Sequence, residues 1–265
     1  MSKTVLAFAP HPDDAEFFAG GLLANLLAEG AKVYLVIVSD GARGSFEHSS
    51  QALAEIRRQE AQRAAAVLGA EPPIFLGYPD LELDTLPPGV LRERFIRLIR
   101  QYRPEIVVAG DAFARYEVHP DHRAVAWAAS DAIHFAHLPR MHPEHIEQGL
   151  EPHFVVEKYF YGEELPLANR IVDISHSIER KIAALGEHRS QVQFLVEDVL
   201  RQARLAGLDL RAVLGEALDD PLQAIAWAIR AQAAAIGQRI GVAYAEAYRY
   251  VRFHPLVENL LATQG

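Results

Sequence analysis

Two short stretches hold the residue types that could do chemistry together, His11-Pro12-Asp13-Asp14 and His119-Pro120-Asp121-His122. Each offers two metal-capable side chains three residues apart, with a carboxylate between them. Imidazole nitrogen and carboxylate oxygen suit catalytic zinc, which takes three protein ligands and leaves a fourth position to water. A neighbouring Asp or Glu can then move a proton or orient a ligand histidine. One His-Pro-Asp turn alone is an ordinary turn whose Asp caps a helix. Two such turns on one edge of a sheet are a site. Spacing leaves open which of these residues would bind a metal and which would handle protons.

Both turns follow strand-like runs. Residues 3–9 are apolar and lead into His11, and Glu105–Ala109 precedes the second turn. Further strands are expected at Lys32–Ser39, Pro73–Leu76, Phe154–Tyr161 and Arg170–Val172. Helical patterns lie between them at Ala15–Glu29, Gln51–Leu68, Val90–Gln101 and His122–Phe135, several closed by Gly or Pro. Apolar strands alternating with helices predict a mostly parallel sheet covered on both faces, a Rossmann-like three-layer α/β sandwich. In such sheets sites form beyond the C-terminal strand ends, which is where both turns lie. After Val172 the pattern is mostly helical: one amphipathic helix over Ser175–Val192, broken helices over Phe194–Leu218 and a long helix over Pro221–Ile240. Gly241–Phe253 returns as a strand or extended segment. No linker or repeat interrupts the chain, so residues 1–265 are expected to form one domain, with a helical C-terminal part over about 175–250.

Composition narrows the function. The 265 residues carry a net charge of -9 with no Lys/Arg run, which argues against a nucleic-acid partner. There is no cysteine, so a metal must take His, Asp, Glu or water. A strand begins almost at the N-terminus, and no apolar run reaches the ~20 residues a membrane helix needs. A soluble, cytoplasmic chain with no membrane partner is expected.

Several further residues are candidates. Arg57 and Glu60 lie on or beside the apolar stripe Leu53, Ile56, Ala64, Val67, and either tie the helix to a loop or reach a substrate. Asp80 follows the third strand, where a sugar could be held. His188 shares a helical face with Lys181 and Leu185 and is a pocket or interface candidate. His134, His137, His142 and His145 mark a variable lid rather than a second metal site. Gly20-Gly21 inside the first helix points to close packing against a neighbour. The first turn is not G-x-G-x-x-G, so a dinucleotide is not expected.

The run Ala9-Pro10-His11-Pro12-Asp13-Asp14-Ala15-Glu16 with Gly20-Gly21, followed by His119-Pro120-Asp121-His122, resembles the PIG-L/LmbE-like N-acetylglucosamine deacetylases. Arg57-Arg58-Gln59-Glu60 with Leu68-Gly69, the stretch Lys181 to Gln191, and Ala245-Glu246-Ala247-Tyr248 are similar as well. The resemblance implies one Zn²⁺ per chain on His11, Asp14 and His122. It implies Asp13 as general base and His119 as an imidazolium facing the oxyanion, oriented and raised in pKa by Asp121. Arg57, Asp80 and His188 are the candidate outer substrate contacts, with Arg43 a further one that departs from the acidic residue common in relatives, and a tyrosine's help with the oxyanion comes from Tyr116 or is absent. The implied substrate is a small molecule carrying N-acetylglucosamine, and the implied assembly is a homotrimer or hexamer. The competing readings are hydrolysis of another amide, a two-metal phosphoesterase, and a non-catalytic metal- or nucleotide-binding module.

Overall fold

The first two strands of the sheet are β1 (Thr4–Ala9) and β2 (Lys32–Ser39), which pair in parallel from Thr4 and Lys32 to Ala9 and Ile37. The computed structural model describes residues 2–162, 165–210, 212, 215 and 220–263. β3 (Ile74–Tyr78), β4 (Ile106–Gly110) and β5 (Glu157–Tyr161) complete a parallel set in the order β3-β2-β1-β4-β5. β6 (Arg170–Asp173) and β7 (Ala245–Val251) extend it as β5-β7-β6, both pairings antiparallel. The sheet is therefore mixed at one side, and the expected α/β sandwich is otherwise found.

β1 alternates strictly between the two faces, as a strand with a period of two must. Val5, Ala7 and Ala9 enter one core with α1 (Asp14–Ala28) and α2 (Ser50–Leu68). Leu6 and Phe8 enter the other with α3 (Val90–Tyr102) and α4 (Pro120–Phe135). Phe8 is wholly buried against Phe95, with ring centroids 4.4 Å apart. Burying such a ring contributes roughly 1.5–3 kcal/mol.

The strand order sets where a site can be. From β1 the chain adds strands in one direction to β3, then crosses back to place β4 on β1's other side. The crevice between the ends of β1 and β4 is the switch point at which ligands bind in open α/β sheets. His11 follows β1, and His119 to His122 follow β4.

Three expectations are corrected. After α5 (Pro143–Glu147), the single helix expected over Ser175–Val192 is two, α6 (Ile178–Leu185) and α7 (Arg189–Leu205), separated at Gly186–His188. The break lets Ser190 reach Glu60 and Gln191 reach the Gly44 carbonyl. The stretch His134 to His145 is no lid over the site. It follows the C-terminal end of α4, so a 16-residue helix, roughly 24 Å long, separates it from the turn at His119. Buried Arg100 fastens it by donating to the carbonyls of Ala136, Leu138, Met141 and His142. Strand β5 also starts at Glu157 rather than Phe154.

Of the broken helices expected over Phe194–Leu218, residues 211, 213, 214 and 216–218 lie outside the described residues. The long helix is found as α8 (Pro221–Gly237), and a last helix, α9 (Pro255–Ala262), follows β7. Among the described residues no helix is long and apolar enough to cross a membrane.

The close packing expected of Gly20-Gly21 is present. A Cβ on Gly21 would lie 2.5 Å from Ile174, and one on Gly20 2.9 Å from Lys181. Lys181 donates to the buried Glu246, which also accepts from the backbone of Gly21 and Leu22 and from the Tyr248 hydroxyl. The Lys181 and Ala245–Tyr248 motifs thus hold α1, α6 and β7 together.

Candidate metal centre and catalytic site

The turn between β1 and α1 folds around its own carboxylate. Asp14 opens α1, and its Oδ2 accepts from the His11 backbone N–H at 2.8 Å and lies 3.1 Å from His11 Nδ1. Asp13 takes φ 124°, a conformation that strains a residue with a side chain. Arg57, 4 % exposed, holds it there. Its guanidinium donates to Asp13 Oδ1 at 3.0 Å, to the Pro12 carbonyl at 2.6 Å and to the Gly41 carbonyl at 3.0 Å. Gly41 is the residue this contact requires, because a Cβ there would lie 2.6 Å from the guanidinium. Glu60 does not pair with Arg57 but binds Ser190.

His122 comes from the first turn of α4 and meets the first turn from above. Its Nε2 lies 3.3 Å from His11 Nδ1 and 3.4 Å from Asp14 Oδ1. Two ring nitrogens facing each other across one carboxylate fit a cation well. Tetrahedral zinc ligands, each roughly 2.0–2.1 Å from the metal, stand about 3.3 Å from one another. The same atoms explain the electrostatics without a metal. Burial opposes charge on His122, but the Asp14 carboxylate outweighs it and raises the imidazole to about 10. Burial likewise opposes charge on His11, and Asp121, Asp14 and Asp80 hold its pKa well above the usual value. Burial would push Asp14 up, yet the two histidines keep it well below the usual carboxylate range. A divalent cation can take the place of the protons held here.

Each histidine has a carboxylate behind it, the arrangement that fixes ring orientation in metal sites. His11 Nε2 lies 3.2 Å from Asp121 Oδ2 and 3.1 Å from Asp80 Oδ1. His122 Nδ1 lies 3.1 Å from Glu117 Oε2. Glu117 was not a candidate from sequence, and nothing in its spacing marks it, since the loop between β4 and α4 must fold before it meets His122.

Asp121 departs from expectation. It is fully buried and accepts from the backbone N–H groups of Leu81 and Leu83 as well as facing His11. It therefore orients His11, not His119. His119 instead caps α4, with Nδ1 accepting from the Asp121 backbone N–H at 3.2 Å. Burial, then the charges on His11 and His122, lower its pKa rather than raise it. The shift runs against the imidazolium expected at His119, and with Nδ1 accepting, the neutral ring carries its proton on Nε2. Its ring stacks on His122, with centroids 4.7 Å apart.

The remaining candidates lie around this centre. Asp80 is buried and turned to His11, and burial's upward push on it is overcome by His11, bringing it to about 2. Arg43 clamps the same loop, donating from its backbone to Asp80 Oδ2 and from Nε to the Asp80 carbonyl, and pairs with Glu82. His188 is 1 % exposed, with Nε2 3.6 Å from Glu16 in the first turn of α1. Tyr116 stands 78 % exposed on the loop after β4. For Asp13, burial raises the pKa and Arg57 opposes the rise. In the 134–145 stretch, ligand atoms of His142, Glu144 and His145 also lie within 4.8 Å of one another, but His145 has no nitrogen free for a metal. Both nitrogens of His145 are engaged, Nδ1 by Arg100 at 3.1 Å and Nε2 by Glu93 at 2.7 Å.

Known proteins resemble this chain in sequence and fold. Residues 6–133 match the PIG-L family, described as GlcNAc-PI de-N-acetylase. The chain is 36% identical over 191 residues to a diacetylchitobiose deacetylase of Thermococcus kodakarensis, covering 71% of this chain and 70% of that one. It is 26% identical over 203 residues to a probable N-acetyl-alpha-D-glucosaminyl L-malate deacetylase of Bacillus cereus, covering 75% and 88%. The fold superposes on N,N'-diacetylchitobiose deacetylase from Pyrococcus horikoshii, solved with its inhibitor MPG. The TM-score is 0.76 at 30% identity, covering 95% of this chain and 84% of the other. The chain therefore belongs to the PIG-L/LmbE-like family of N-acetylglucosamine deacetylases and is a hydrolytic N-deacetylase.

Proposed function

We propose that this enzyme uses one zinc ion, held by His11, Asp14 and His122, to remove the N-acetyl group from a small molecule containing N-acetylglucosamine. The observation that carries the reading is the meeting of His122 Nε2 with His11 Nδ1 at 3.3 Å and with Asp14 Oδ1 at 3.4 Å, beside the Arg57-held carboxylate of Asp13. The relatives named above support the sugar unit, and their names differ in what that unit is joined to.

When bound, the metal polarises the amide carbonyl and makes its water acidic. Asp13 takes a proton from the attacking water as its oxygen bonds to the acyl carbon. The raised pKa of Asp13 makes it a stronger base than an ordinary carboxylate. His119 donates its Nε2 proton toward the oxygen that gains negative charge, a role for which a neutral ring suffices. Asp13 then returns its proton to the leaving nitrogen as the C–N bond breaks. The products are acetate and the free amino sugar. Asp121 and Asp80 fix His11, and Glu117 fixes His122, so neither ring must reorganise during the reaction.

The test is acetate release from a panel of N-acetylglucosamine conjugates, with zinc added and then chelated. One metal per chain and chelator-sensitive acetate release are expected. Asp13→Asn should keep the metal and lose turnover. Release of no acetate from any conjugate, or full activity in Asp13→Asn, overturns the reading. Two metals per chain with phosphoester cleavage would replace it by the two-metal alternative.

A further inference from the structure

We propose that His188 is a positioning residue of the catalytic turn: by drawing Glu16 away from Asp13, it stops the first turn of α1 from capping itself with the base. The proposal rests on the reading of Asp13 as the base of a deacetylase.

The spacing of residues at the start of α1 favours a different geometry from the one observed. Asp13, with Glu16 three residues on and Phe17-Phe18-Ala19 following, has the pattern of a capping box. In that arrangement the Asp13 carboxylate would accept from the Glu16 N–H, and the Glu16 carboxylate from the Asp13 N–H. Asp13 is the N-cap residue, since its carbonyl accepts the first helical bond from the Phe17 N–H at 2.8 Å. Yet its side chain caps nothing, and its φ of 124° lies far from the extended conformation usual at an N-cap. A closed box would tie up the carboxylate that must accept the water's proton.

Two side chains keep the box open. Arg57 takes the Asp13 carboxylate at 3.0 Å, and His188 faces Glu16. Glu16 is 2 % exposed and His188 1 %. His188 Nε2 lies 3.6 Å from Glu16 Oε1, and neither that oxygen nor either ring nitrogen has a hydrogen-bond partner among the described residues. Buried polar groups without partners are costly and therefore rare. These two are each other's remedy: they can share one proton, and an approach of about 0.6 Å brings them to an ordinary N···O distance.

His188 is fixed from behind. It stands in the break between α6 and α7, and residues on either side of it are bonded to other elements. Glu187 pairs with Arg63 of α2 at 3.0 Å, Ser190 donates to Glu60 of α2 at 2.6 Å, and Gln191 donates to the Gly44 carbonyl at 3.1 Å. The break thus presents His188 to α1 from a pinned position. An unusual backbone conformation such as that of Asp13 persists only where its surroundings over-determine it, and Arg57 and the Glu16–His188 contact do so from two sides.

The experiment compares the zinc-loaded wild type with His188→Gln, His188→Leu, Glu16→Ala and the double variant His188→Leu/Glu16→Ala. His188→Leu frees Glu16 to swing to the Asp13 N–H. Its kcat for acetate release should fall about 10²-fold, the cost of a misplaced group, with KM and zinc content unchanged. His188→Gln keeps a donor for Glu16 and should lose less. The double variant cannot close the box and should regain about 10-fold of the loss, a coupling expected of residues in contact. Removal of Glu16 would not rescue a residue that merely packs. Thermal unfolding checks that every variant folds. The crystal structure of His188→Leu gives a readout without turnover: Glu16 should accept from the Asp13 N–H, and Asp13 should leave positive φ. Asp13 unmoved in that structure, or a double variant no faster than His188→Leu, overturns the positioning role alone. A wild type that releases no acetate from any N-acetylglucosamine conjugate overturns the deacetylase reading, while the variant's structure still decides whether His188 holds the turn.

Discussion

The Asp121 carboxylate lies 3.2 Å from Nε2 of His11, a residue 110 positions away, and leaves its neighbour's ring, His119, to the backbone. The same carboxylate accepts from Leu81 and Leu83, so one side chain fixes a candidate metal ligand and the loop after β3. Asn in its place has one acceptor oxygen for three donors and points an NH₂ at an N–H. Asp121→Asn should therefore weaken zinc binding by roughly 10- to 100-fold. Competition with a chromogenic chelator measures this, and saturating zinc should restore much of the lost turnover. Unchanged affinity would mean that His11 needs no partner behind it.

Arg57 gives a second prediction. It satisfies two carbonyls and the Asp13 carboxylate from a buried position. Arg57→Met leaves all three unpaired and removes the restraint on a residue at φ 124°. Loss of one partner from a buried charged pair costs about 3–5 kcal/mol, and a misplaced base costs about 10²-fold in rate. Urea unfolding should show the first and kcat the second, while zinc content stays near one per chain. A kcat drop without loss of stability would point to substrate contact instead.

The parts of this molecule legible in its sequence are those decided locally. Continuous apolar runs at 3–9 and Lys32–Ser39 mark two strands, and Gly69, which closes α2 in the left-handed conformation, marks the end of a helix. The turns at His11 and His119 could be placed together because both follow strands of one parallel sheet. What could not be read depends on tertiary contact. Asp121 turns inward because buried His11 Nε2 needs an acceptor, and only the folded chain brings the two together. The amphipathic stripe through Ser175–Val192 does not show its break at Gly186–His188, after which Ser190 meets Glu60 of α2. The resemblance implies Asp121 behind His119, whereas the fold turns its carboxylate to His11.

Tyr248 makes stability depend on alkaline pH. It is fully buried, and burial followed by the neighbouring Glu246 carboxylate pushes its phenol well above the ordinary value. A phenol with a raised folded-state pKa stays protonated when the unfolded chain has lost its proton. Its stabilisation is thus complete below about pH 10 and is lost as pH rises above that. Tyr248→Phe removes the 2.6 Å hydrogen bond to Glu246 and should cost about 1.5–3 kcal/mol at pH 8. Above pH 10 the gap between wild type and variant should close by up to about 1.4 kcal/mol per pH unit. Urea unfolding at pH 8 and pH 10.8 tests this, and a gap independent of pH would contradict it.

Gly21 tests whether close approach or helix propensity governs the middle of α1. Alanine there gains about 1 kcal/mol in propensity. Its Cβ would lie 2.5 to 2.8 Å from Cγ2, Cβ and Cδ1 of Ile174, which is fully buried. Ile174 cannot move away freely, because its backbone N–H donates to the Tyr244 carbonyl and its own carbonyl accepts from Ser177 and Ile178. Overpacking of this kind costs about 1–3 kcal/mol, and three contacts this short put Gly21→Ala at the upper end, for a net loss of about 2 kcal/mol. Ile174→Ala alone opens a cavity and should cost about 2–5 kcal/mol. Combined, the two should cost less than their sum by about 1 kcal/mol, since the smaller side chain relieves part of the clash. A double-mutant cycle by urea unfolding reads that coupling directly. Additive losses would place the strain of Gly21→Ala away from Ile174, most directly on the Glu246 carboxylate of β7 that receives the Gly21 N–H.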